Sequence, residues 1–228
     1  MFESSNLDAK STQICQYELS KLFLIFNLSM KKILACIILL LVFKNNFAQN
    51  DSLIESIKNF QNSLNEDYKN PEESPLSKKD LKTFTAHDFY EIDTNYYVKA
   101  KLIKTPEEKT FGMITTTERK PEYVKFGHLI FDLNGQTYQL DVFQMTILTQ
   151  KEGYEKYLFL PFTDSTNGNE TYHIGRYIDL TIPDGDEIMI DFNKSYNPYC
   201  AYSHDFSCPV PPEQNHLKTY IKAGIKKP

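Results

Sequence analysis

The chain has 228 residues, is 41% hydrophobic and carries a formal charge of −5, which is enough for one domain with a sizeable core. No lysine-rich face or run stands out, so nucleic acid and anionic membranes are poor candidate partners. No internal repeat or low-complexity tract appears, and Rossmann and P-loop patterns are absent.

The N-terminus reads as a leader. Met30-Lys31-Lys32 followed by Ile33 to Phe43 has the charged and apolar regions of a secretory signal, with Phe47-Ala48-Gln49 as a cleavage point. Met30 is the expected start and residues 1–29 an extension ahead of it; the alternative is a long tail carrying an uncleaved membrane anchor. Removing the five basic and three acidic residues of 1–48 leaves 20 basic against 27 acidic side chains. The protein is therefore expected to be periplasmic or extracellular, touching a membrane only through an uncleaved leader.

Residues 49–78 read as a helix and connector. Asp51 or Ser52 can cap it, and Leu53, Ile54, Ile57, Phe60, Leu64 and Tyr68 recur at helical spacing up to Asn70-Pro71. From residue 79 the chain turns β-rich. Strands are expected over 97–103, 110–117, 123–133, 136–148, 157–162, 177–182 and 187–192, with an edge strand over 217–223. Asn134-Gly135 marks a two-residue hairpin turn. The fold class is mostly β: an antiparallel sandwich or barrel with one N-terminal helix packed on it.

Polar and aromatic residues crowd between Leu160 and Tyr202. The chain holds 23 lysines but only Arg119 and Arg176, so a planar fork was needed at position 176, to grip an anion in two places or to stack on a ring. Cys200 and Cys208 form an even pair suited to an oxidising compartment, and a disulfide is expected. Free buried thiols are the alternative. A metal site joining them to His204 and His216 is disfavoured by Pro198, Pro209, Pro211 and Pro212, which break the helix that would align the ligands.

Three ordered motifs carry a resemblance. They run Phe162-x-Asp164-x-Thr166-x-Gly168-x-x-Thr171-Tyr172-x-x-Gly175-Arg176-Tyr177, then Asp191-Phe192-Asn193-x-x-Tyr196-Asn197-Pro198-x-Cys200-Ala201-Tyr202, then Cys208-Pro209-x-Pro211-Pro212-x-x-Asn215-x-Leu217, closed by Ile221-x-Ala223-Gly224. This pattern resembles the bacterial family named domain of unknown function 1684, which brings no established activity. Gln214 and Ile225 stand where that family usually has glutamate.

Loops leaving neighbouring strands converge on one end of a β scaffold. The expected function is therefore binding of a small polar or anionic ligand in a pocket formed by the three motif loops. Asp164, Thr166, Tyr172, Arg176, Asn193, Tyr196, Asn197 and Tyr202 would line it. A hydrolase or isomerase using Asp164 or Asp191 with His173 is one alternative. The other is a purely structural role, with Arg176 paired to Asp191 inside the fold and Cys200 to Cys208. No nucleophile elbow, activated thiolate or dense ligand cluster is present, so no cofactor or metal is expected.

Overall fold

The structure is a computed structural model that describes residues 50–228. The expected leader over 1–48, with its cleavage point, Cys15 and Cys36, lies outside the described residues.

Helix α1 spans residues 50–69. Ile57 and Tyr68 are buried, and Leu53, Ile54, Phe60 and Leu64 are half-buried, so the apolar stripe read from the spacing is the face that packs. Asn70 ends it: its N–H still reaches the Glu66 and Asp67 carbonyls, and Pro71 follows with no N–H to continue the ladder. A one-turn helix, α2 (Lys78–Leu81), is capped by the Ser77 hydroxyl, which accepts the Asp80 N–H at 3.1 Å.

Eight strands follow: β1 (Tyr97–Lys104), β2 (Phe111–Gly112), β3 (Glu122–Leu133), β4 (Gln136–Met145), β5 (Tyr157–Asp164), β6 (Arg176–Thr181), β7 (Glu187–Asp191) and β8 (His216–Leu217). The sheet runs β6-β5-β4-β3-β1-β7, with antiparallel neighbours; β2 joins β3, and β8 lies parallel to β5. It curls into a half-barrel, and Tyr196, just past β7, bridges back to Tyr177 on β6. The mostly β architecture with one N-terminal helix is thus as read from the pattern. Asn134 (φ 52°) and Gly135 (φ 78°) form the turn between β3 and β4, both in the left-handed region that such a turn requires.

Two expected strands are largely absent. Of residues 110–117 only Phe111 and Gly112 pair in a strand; the rest loop across to the chain around Cys208, where Thr116 N–H bonds the Cys208 carbonyl. Of 217–223 only Leu217 is in a strand, because the carbonyls beyond it bond a side chain instead.

Alternation along the strands sorts side chains into two layers. Leu158, Leu160 and Phe162 of β5 and Ile178 of β6 join the main core with Leu129, Leu140 and Ile190. Phe159 of β5 and Tyr177 of β6 face the opposite way, into a smaller cluster with Met113, Tyr123 and Phe143. The central strands are therefore covered on both faces.

Candidate functional site

Strand β6 begins with Arg176, Tyr177, Ile178 and Asp179, and successive side chains point to opposite faces of the sheet. Arg176 goes inward with Ile178. Its guanidinium is fully buried, and Nη2 donates to Asp164 Oδ2 at 2.8 Å, the two side chains having no exposure at all. Nη2 also donates to the Ile221 carbonyl (2.9 Å), and Nη1 to those of Ala223 (2.6 Å) and Ile225 (3.3 Å). Nε alone has no partner, and the planar group lies 5.2 Å from the Phe162 ring. Burial works against the cation, and the Asp164 carboxylate offsets it.

Asp164 is equally occupied, since Oδ1 accepts the N–H groups of Thr166 (2.8 Å) and Ile221 (3.1 Å). The ion pair thus holds the stretch from Ile221 to Ile225 through three carbonyls and one N–H. Gly224 lets it do so, because a Cβ there (φ 75°) would collide with Ser195 and sit 2.5 Å from the Phe192 carbonyl. The arginine's partner is Asp164, not the Asp191 suggested by the structural alternative. Asp191 instead bonds Asn193, whose backbone N–H and side-chain amide reach Oδ1 at 3.1 and 3.0 Å.

The remaining motif residues serve the same interior. Thr166 and Thr171 hydroxyls meet at 2.8 Å. Asn193 holds Asp93 in both directions, accepting its N–H and donating to its carbonyl. Asn197 donates to the Lys226 carbonyl (2.8 Å) and to the Tyr202 hydroxyl (3.1 Å), while its own Oδ1 is unpartnered. Tyr202 stands beside His87 in an aromatic group with Tyr68. His173 is exposed, sets its ring against that of Tyr172 and makes no hydrogen bond to Asp164 or Asp191.

The expected disulfide is not formed. Cys200 and Cys208 do meet, but as buried free thiols. The Cys208 sulfur accepts the Cys200 N–H at 3.1 Å, and the interaction of the two thiols draws Cys200 down to about 6 while Cys208 is pushed up. A backbone hydrogen bond to the Cys208 sulfur links the two residues where a covalent bond was expected. Tyr172 adds its hydroxyl, 3.4 Å from the Cys200 carbonyl. Among the described residues no three His, Cys, Asp or Glu side chains gather around a potential metal position.

The outward residues of β6 tell a different story. Tyr177 and Asp179 face a cleft of about 470 Å³ between the sheet and α1. Phe60 and Leu64 of α1 form one wall; Phe159, Tyr157 and Tyr196 form the other, with Tyr199 and Phe206 at the rim. The rings meet at steep angles, Phe159 to Tyr177 at 72° and Tyr177 to Tyr196 at 88°. Tyr177 is anchored by its hydroxyl, which donates to the Pro209 carbonyl.

At the base, Asp179 Oδ1 accepts the hydroxyls of Tyr157 (2.7 Å) and Tyr196 (2.8 Å). Aromatic walls push the Asp179 carboxyl above its ordinary range, although the two hydroxyls pull it partly back. Burial raises both tyrosines as well, so they stay protonated donors at neutral pH. Of the eight side chains expected to line a pocket, only Tyr196 faces this cleft. Asp179, Tyr157 and Tyr177 are not among those eight, although the two-residue period of β6 places Tyr177 and Asp179 on the face opposite Arg176.

A family model described as "Protein of unknown function (DUF1684)" matches residues 82–226. Among solved structures, the chain is similar to the solution NMR structure of an uncharacterized protein of Haloarcula marismortui, at 30% identity and a TM-score of 0.62, over 78% of this chain and 96% of that one. None of the curated proteins compared matches it.

Proposed function

The chain belongs to the DUF1684 family, and on that premise we propose that it is an exported protein that binds a small ligand with an apolar or aromatic body in the cleft between α1 and the β6 face of the sheet. One observation carries this reading: an open hollow of about 470 Å³ walled by aromatic rings, with a hydrogen-bonded carboxylate at its floor. Ligand sites have this composition, mostly apolar walls with a few placed polar groups. The Arg176 region offers a ligand no comparable opening, since Nη1 and Nη2 already donate to Asp164 and three carbonyls. The leader read from the sequence supports the exported placement.

An uncharged solvatochromic dye, Nile red, tests the cleft. Its emission should shift to the blue and saturate at one equivalent, and Leu148→Trp, which adds an indole at a residue that also lines the cleft, should abolish the signal without lowering the melting temperature. Emission that fails to saturate, or that Leu148→Trp leaves unchanged, would overturn the reading.

A further inference from the structure

The charged side chains that line the cleft are both acidic, while Arg119 stands behind the lining, its guanidinium spent on the Ser207 hydroxyl and carbonyl. Asp179 lies at its floor and Asp67 of α1 at its edge, and no lysine, arginine or histidine among the described residues lines it. In a chain with 25 basic side chains, this is an acidic lining set among low-dielectric walls. An anionic ligand would meet repulsion here, with no donor stronger than a phenol.

Asp179 is also half-committed. Both tyrosine hydroxyls arrive at Oδ1, whereas Oδ2 takes no hydrogen bond from the described residues. The side chain is exposed to the cleft. A carboxylate with one oxygen braced and the other open is an acceptor positioned in advance for a charged donor. The rings of Tyr157, Phe159, Tyr177 and Tyr196 line the same cleft, and aromatic rings attract cations to their faces.

We propose that the ligand is a small organic amine, bound as its ammonium ion, with the charged nitrogen against Asp179 Oδ2 and the tyrosine faces and its apolar body along Phe60 and Leu64. This rests on the cleft being a ligand site at all. Recognition is non-covalent; the ammonium exchanges its water for the carboxylate and the rings. Asp67 contributes through the field at the entrance, where burial and then that carboxylate push the Tyr199 hydroxyl upward.

Three probes sharing one phenyl ring separate the outcomes by calorimetric titration of the full chain at pH 7. They are the 2-phenylethylammonium cation, uncharged 2-phenylethanol and the 3-phenylpropionate anion. The cation should bind at least tenfold more tightly than the alcohol, and the anion more weakly than either. Asp179→Asn should bring the cation down to the affinity of the alcohol while leaving the alcohol unchanged. Equal binding of cation and alcohol, or tightest binding of the anion, would overturn the amine assignment and leave the cleft standing as a site. No binding of any of the three would overturn both. The comparison among probes holds on the unaltered protein, so it does not depend on the variant folding.

Discussion

Two polar constellations leave the same strand in opposite directions. Arg176 points inward and has its terminal nitrogens committed to Asp164 and the C-terminal carbonyls; Asp179, three residues on, points outward and keeps one oxygen open. Both are unusual residues in a motif-dense block, and both sit amid aromatic rings. What separates them is whether the surroundings satisfy them. A buried charge whose partners are all internal fixes a fold, because removing one partner strands the other in a low dielectric. A charge whose neighbours leave a side open remains available to something else.

The largest effects should come from the sealed side. Arg176→Met leaves Asp164 buried without its cation and should cost about 3–5 kcal/mol in urea unfolding; a loss under about 1 kcal/mol would remove the contrast between the two regions. Gly224→Ala should follow, at about 3 kcal/mol, because a Cβ meets Ser195 and the Phe192 carbonyl and pushes the Ala223 and Ile225 carbonyls off the arginine. A smaller effect belongs to His87. Its imidazole is held down at about 4 by burial among Tyr68, Phe84 and Tyr202. The unfolded chain binds that proton more readily, so stability is complete above about pH 6.5 and drains as pH falls toward 4. About 2 kcal/mol should be lost over that interval, solvent at the ring edge trimming the effect, and His87→Phe should flatten this part of the pH profile.

The open side should barely register in stability. The folded protein holds the Asp179 carboxyl above its ordinary range, so its ionisation opposes folding at neutral pH. Asp179→Asn should therefore raise stability slightly at pH 7, by under about 1 kcal/mol. The gain should shrink as pH falls and the native carboxyl takes up its proton. A clear loss of stability instead would make Asp179 a second structural knot and erase the distinction between the two sides of β6.

Much of the scaffold was legible in the residues alone. The stripe from Leu53 to Tyr68 marked α1, and Asn134-Gly135 marked the central hairpin, since both depend on local spacing and turn chemistry. Arg176 stood out against a lysine-rich background, and it is indeed singular. Its partner was not legible, because Asp164 and Asp191 are equal candidates until β5 and β6 set Phe162 opposite Arg176 and bring Asp164 alongside. The segment after Leu217 looked like a strand because its alternation is real; its carbonyls bond a guanidinium in place of a neighbouring strand. The cleft was the least legible feature of all. It joins Phe60 and Leu64 to Tyr157 and Tyr196 across roughly a hundred residues, and no local pattern encodes that meeting.

The most direct test maps binding onto backbone amides by NMR while 2-phenylethylammonium is titrated into the full chain. Shifts should concentrate at Tyr157, Asp179 and Tyr196, with Phe60 and Leu64 following and Asp164, Arg176 and Ile221 still. Shifts centred on those last three residues would mean that the sealed ion pair opens to receive the ligand, which contradicts an occupied cleft on the outer face of β6.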